Sequence, residues 1–88
     1  MHERTLVIKN KFGLHARPAA MFVQAATRFK SMIKLFKDDQ EVDGKSIMGL
    51  MTLAACNGSS LKIMAEGPDE VDAIRELAAL IESKFGEE

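Results

Sequence analysis

Apolar and polar residues alternate through Thr5–Lys9, with Leu6 and Ile8 on one face, and this period of two predicts a strand. A loop over 10–14 follows, and then the period changes. From Ala16 to Phe29, Ala19, Phe22, Val23, Ala26 and Phe29 recur at three- and four-residue spacings, which predicts an amphipathic helix. Met32–Lys37 returns to alternation, with Ile33 and Leu35 inward. Asp38-Asp39 makes a turn, and Glu41–Asp43 forms a short strand around Val42. Ser46 opens a short helix to Leu53, closed by Asn57-Gly58. Leu61, Ile63 and Ala65 mark a fourth strand. Gly67-Pro68-Asp69 then opens a last helix, on which Val71, Ile74, Leu77, Ala78, Ile81 and Phe85 form one stripe.

The order is therefore βαββαβα, an α+β arrangement in which an antiparallel sheet is covered by helices on one face. The pattern does not by itself separate this from a ferredoxin-like fold. Eighty-eight residues suit a single domain, 1–88, and with no Trp or Tyr its core must be built from five Phe and the aliphatic residues. A net charge of −1 excludes a strong basic field, so nucleic acid is not an expected partner. The single cysteine, Cys56, excludes an internal disulfide and a multi-cysteine metal site, and is expected to pack as a small hydrophobe. No apolar run is long enough to span a membrane and no secretory signal precedes the first strand, so a cytoplasmic location is expected, with no membrane partner.

Two segments carry chemistry. The first is Gly13-Leu14-His15-Ala16-Arg17-Pro18-Ala19, where a glycine turn delivers a histidine to the start of the first helix. A helix N-terminus leaves backbone N–H groups unpaired and carries partial positive charge, so it stabilises an anion. Proline in the first turn costs little there. A phosphoryl group on His15 would meet the N–H groups of Ala16 and Arg17 and the Arg17 guanidinium. A neutral imidazole nitrogen is a nucleophile near neutral pH, and phosphoryl transfer asks mainly for positioning and charge stabilisation. The plain alternative is that His15 is a polar N-cap and Arg17 a solvated residue. Arginine is, however, out of place in a first turn by dipole logic, and such local conflicts point to function. Zinc is not expected: only His2 could join His15, and no acidic or cysteine cluster lies nearby. His2 is expected to be exposed and inert.

The second segment is Lys45-Ser46-Ile47-Met48-Gly49-Leu50-Met51. Asp43-Gly44-Lys45-Ser46 is not a P-loop, because the first glycine of that motif would fall on Asp39. Ser46 reads as an N-cap, a position where a phosphate would sit favourably against the helix dipole. The helix after it has almost no polar face. On one side of a small sheet it cannot bury its whole circumference, so an exposed apolar patch, rich in methionine, is expected as a partner surface.

At the spacing they have here, these two segments closely resemble those of the HPr family, the histidine phosphocarriers of the bacterial phosphoenolpyruvate-dependent sugar phosphotransferase system, and the resemblance covers nearly the whole chain. It implies the open-faced β-sandwich, four strands under three helices. It implies phosphorylation of His15 on Nδ1, a choice of nitrogen that the sequence itself does not make, with Arg17 stabilising the phosphate and no cofactor. The implied partners are enzyme I as donor, IIA proteins as acceptors, and a kinase/phosphorylase acting on a regulatory Ser46, with a transcription regulator as a further partner of a monomeric carrier. Ala20, Gln24 and Thr27 on the first helix, with Ile47, Met48 and Met51 on the second, are carried over as docking residues, while Leu50 and Leu53 belong to the core. Ala20 stands where threonine is common in Gram-positive members, and Phe12 is bulky for the loop. Two alternatives remain open at this point. One is a regulatory member of the family in a system that transports no sugar. The other is a ligand- or RNA-binding domain, for which Thr5, Val7, Lys9, Lys34, Phe36 and Lys62 offer a weak platform.

Overall fold

Leu61, Ile63 and Ala65 are each at most 1% exposed, and the strand that carries them is one of the two interior strands of the sheet. In the computed structural model, which describes residues 1–87, this strand is β4 (Ser60–Glu66), flanked by β1 (His2–Val7) and β2 (Met32–Lys37), with β3 (Gln40–Asp43) on the outer side of β2. The order β1-β4-β2-β3 is antiparallel throughout. Leu6 pairs with Leu61, and Ile63 with Leu35, so inward residues stack across adjacent strands. Three helices, α1 (Ala16–Ala26), α2 (Ile47–Thr52) and α3 (Glu70–Glu82), cover that face. α1 buries Ala19, Phe22 and Ala26, and α3 buries Ala73, Ile74, Leu77, Ala78 and Ile81, in one continuous core with the strands. The architecture is the open-faced four-stranded sheet under three helices expected from the sequence.

The differences lie at the element ends and on two side chains. β1 begins at His2 rather than Thr5, because its whole length pairs with β4. α1 ends at Ala26, and the turn continues to Phe29 through Arg28 N–H to Ala25 O and Phe29 N–H to Ala26 O. Val71 does not belong to the α3 stripe and is 47% exposed; Ala73 takes the inward place in that turn. Phe85 is buried, but it lies beyond α3 in a single 3₁₀ turn (Lys84–Gly86). There Lys84, Phe85 and Gly86 all have positive φ, which reverses the chain and lays the ring back on the core. Cys56 is exposed, since its neighbour Ala55 takes the buried position. His2 is exposed but engaged, its Nδ1 2.6 Å from Glu70 Oε2.

The outer sheet face is not a basic or aromatic platform. Lys34 lies 3.0 Å from Glu41 and Lys62 lies 3.9 Å from Glu3, with Lys62 also over the Phe36 ring. Each lysine thus has a carboxylate neighbour, and this disfavours a nucleic-acid role for that face.

Asp69 ties the start of α3 to the segment before β2. Its carboxylate accepts from the Ser31 hydroxyl and from the N–H groups of Lys30 and Ser31. Gly67 makes the approach possible, because a Cβ there would lie 2.7 Å from Ser31 Cα. The Ser31 hydroxyl, followed by the Lys30 N–H, holds the Asp69 carboxyl below its ordinary value against an opposing effect of burial. A carboxyl depressed in the folded state contributes stability above its unfolded pKa and loses it as the pH falls through the folded one. Asp69→Asn should therefore lower the urea midpoint at neutral pH, with the gap from wild type closing in acid. A gap that stays constant as the pH falls would show that the charge plays no part.

Candidate functional site

The loop before α1 is built around Asn10, which has no solvent exposure. Its Nδ2 donates to Gly13 O at 2.7 Å and to Glu87 Oε1 at 3.1 Å, and Gly13 N–H donates back to Asn10 O. Gly13 has φ +65°, and a Cβ on it would stand 2.3 Å from Ala55 O and 2.6 Å from Cys56 Cα. Only glycine fits, on both counts. Leu14 N–H then donates to Ala55 O at 2.9 Å and the Leu14 side chain is buried, so the next residue is delivered to the helix start in a fixed position.

That residue is His15, the N-cap of α1, in extended backbone conformation. Its carbonyl accepts the Ala19 N–H, but its side chain makes no cap hydrogen bond. The ring instead places Nε2 3.1 and 3.2 Å from the two carboxylate oxygens of Glu87. The Phe12 ring stands edge-on to it, with centroids 6.2 Å apart. The N–H groups of Ala16 and Arg17 are the first two of the helix and have no intrahelical acceptor. The Arg17 guanidinium is 75% exposed and reaches to 3.9 Å from Glu87 Oε2. Together Lys11, Phe12, His15, Arg17, Gly86 and Glu87 line an open cleft of about 590 Å³. The structure thus brings His15 and Arg17 together as expected, sets aside simple capping by the histidine ring, and adds a carboxylate to the site.

Ser46 is the N-cap of α2, its Oγ accepting from Gly49 N–H at 3.1 Å. Lys45 beside it donates from Nζ to Phe29 O at the end of the α1 turn. Leu50 and Leu53 are fully buried, whereas Ile47, Met48 and Met51 are exposed, Met48 at 73%. α2 packs against α1, where Gln24 and Thr27 are exposed and Ala20 is half-buried.

Residues 2–83 match the family model described as "PTS HPr component phosphorylation site". The chain belongs to the HPr family. Among its relatives, the phosphocarrier protein HPr of Treponema pallidum (strain Nichols) is 51% identical, with 97% of each chain covered. The HPr-like protein Crh of Halalkalibacterium halodurans is 50% identical, covering 96% of this chain and 100% of Crh. The crystal structure of HPr-C-His from Thermoanaerobacter tengcongensis is 58% identical, covers 100% of this chain and 99% of that one, and superposes with a TM-score of 0.96; an HPr dimer from the same organism has also been solved, at 57% identity, covering 99% of this chain and 100% of that one, with a TM-score of 0.80. HPr proteins are phosphocarriers of the phosphotransferase system rather than enzymes in their own right, and some relatives dimerise. No helix among the described residues is long and apolar enough to cross a membrane, and none of their His, Cys, Asp and Glu side chains form a group able to hold a metal ion.

Two residues that build this candidate site lie outside those the sequence points to. Asn10 reads as an ordinary loop residue, and Glu87, 72 residues from His15, has no local signal at all. The nearest hint is Phe85-Gly86, an apolar anchor followed by a residue suited to a left-handed turn.

Gly13→Ala tests the loop. A left-handed alanine costs about 1–2 kcal/mol, and pushing back the backbone at 55–56 adds roughly 1–3 kcal/mol. The variant should lose stability by about that sum in urea denaturation; near-wild-type stability would mean that the loop does not depend on this contact.

Proposed function

We propose that this chain is a phosphocarrier that accepts a phosphoryl group on His15 from phospho-enzyme I, charged by phosphoenolpyruvate, and passes it to IIA proteins during sugar uptake. The observation that carries this reading is the half-buried His15 ring at the N-terminus of α1, facing an open cleft and making no cap hydrogen bond, with Arg17 beside it. The neighbouring helix terminus offers the N–H groups of Ala16 and Arg17 to the phosphoryl oxygens, and the Arg17 side chain has the freedom to swing onto them. In this reading Ile47, Met48 and Met51, with Ala20, Gln24 and Thr27, form the docking face for successive partners. Interfaces of this kind are small and short-lived, as a carrier requires. The carrier works as a monomer in the cytoplasm.

Ser46 is proposed as the regulatory site, modified by a kinase/phosphorylase, with a transcription regulator as a further partner of the modified form. Its Oγ already faces the first turn of α2, so a phosphate there adds charge to the docking face while keeping the helix. The similarity to the HPr-like protein Crh favours one second reading, a regulatory member in a system without sugar transport. Sugar permease genes in the genome support the first reading; their absence beside a serine kinase gene supports the second.

Incubation with phosphoenolpyruvate, magnesium and an enzyme I of proven activity, followed by intact-protein mass spectrometry, should show one acid-labile phosphate that is absent from His15→Ala. No phosphate on the wild type would refute the carrier reading. Arg17→Ala should slow the transfer by about tenfold, the scale of one charge-assisted contact, with unchanged circular dichroism. Ser46→Asp should also slow phosphorylation of His15 by enzyme I; an unchanged rate would count against regulation at this residue.

A further inference from the structure

We propose that Met48 and Met51 form a reversible oxidation site, at which a peroxide turns the two thioethers into sulfoxides and weakens protein docking while His15 keeps its chemistry. The proposal rests on the docking face named above and adds its control by oxidant.

Exposure selects the target. Of the six methionines in the chain, Met48 is the most open to solvent at 73%, and Met51 is exposed as well. Met64 is buried in β4, and Met21 is half-buried against the core. A peroxide in water reaches an open thioether before a buried one, so α2 offers it a pair of sulfurs. The two stand three residues apart, as neighbours on one side of the helix, with Ile47 exposed beside them. Met1 and Met32 are also exposed, but neither belongs to that face.

The fold does not depend on these side chains. Leu50 and Leu53, both without solvent exposure, hold α2 to the core, and Ser46 Oγ caps it by accepting from Gly49 N–H. An oxygen added to Met48 or Met51 therefore meets water in the free protein. The cost falls on binding. A sulfoxide carries a polar S=O acceptor where the thioether was apolar and adaptable. An apolar partner surface that covers it leaves this acceptor unpaired. The histidine lies outside the change, since the cleft around His15 is lined by Lys11, Phe12, Arg17, Gly86 and Glu87 and by no residue of α2.

The oxidant is a hydroperoxide, of which hydrogen peroxide is the simplest. A sulfur lone pair attacks one peroxide oxygen and the O–O bond breaks. That oxygen stays on sulfur, and the other takes its proton and leaves as water. Each sulfur loses two electrons, and each peroxide molecule gains two. Methionine sulfoxide reductases, one for each sulfoxide epimer, restore the thioether, their thiols supplying two electrons and the oxygen leaving as water.

The test is made in a Cys56→Ser background, which removes the exposed thiol as a second target. Hydrogen peroxide treatment followed by peptide mass spectrometry should place sulfoxide on Met48 and Met51 and leave Met64 unoxidised. The KM for phospho-enzyme I should then rise about tenfold, the scale of one unpaired buried polar group, and fall back after treatment with both reductases. Phosphorylation of His15 by phosphoramidate, a small donor that needs no docking, should keep its rate. A Met48→Leu, Met51→Leu double variant, compared with its own untreated sample, should show no change in KM with peroxide. Sulfoxide at both positions with an unchanged KM would overturn the inference, as would the same loss in the leucine variant or an equal loss with phosphoramidate. A Met48→Gln, Met51→Gln double variant separates the inference from the reading beneath it. Its fixed polar groups should raise the KM without peroxide; an unchanged KM there would defeat the docking reading itself. Untreated protein that takes phosphate from phosphoramidate and none from enzyme I would defeat the carrier reading, and the inference with it.

Discussion

With no exposure to solvent and two N–H donors to place, the Asn10 side chain joins parts of the chain that no local rule brings together. One acceptor is Gly13 O, three residues on; the other is Glu87, 77 residues away. A buried amide whose donors lost their partners would be strongly destabilised, so the two segments are held by the same group. His15 stands between them. Its backbone is placed by the loop that Gly13 lets lie against Ala55 and Cys56, and its ring is placed by Glu87. The helix α1 supplies the third element, two N–H groups without intrahelical acceptors on the side where charge would arrive. The local conflict at Arg17, a cation in a first turn, makes sense once an anion is expected there.

The face proposed for docking follows from a second constraint, the size of α2. A helix of six residues is not stable alone and needs both its Ser46 cap and its buried Leu50 and Leu53. Those inward positions use up its one covered side. Ile47, Met48 and Met51 are left in solvent beside the exposed side of α1. Unbranched methionine side chains adapt to different surfaces, which suits the succession of partners proposed for this face.

Much of this was legible in the residues. The alternation of Ile33 and Leu35, and of Leu61, Ile63 and Ala65, marks strand faces, because burial on one side of a sheet imposes a period of two, while of the first pair Leu6 lies in β1 and Ile8 is buried just beyond its end at Val7. The N-caps His15 and Ser46 and the burial of Leu50 and Leu53 were legible for the same kind of local reason. What failed was non-local. Phe85 continued the α3 period on paper, but the chain leaves the helix before it and turns back through left-handed residues, so its burial has another cause. Val71 lies in the first turn of α3, where position relative to β1 and β4, and not period alone, decides exposure. Cys56 lost its expected place to Ala55 in a tight turn. Asn10 and Glu87 could not be seen, since a hydrogen bond across 77 residues leaves no trace in spacing.

The central claim is that the N-terminus of α1 receives the phosphoryl group. Amide proton shifts of the ¹⁵N-labelled protein, followed before and after phosphorylation of His15, test it most directly. The expected result is a large downfield shift of the Ala16 and Arg17 amide protons on phosphorylation, reversed when the phosphate is hydrolysed. Phosphate on His15 with both amides unmoved would contradict it.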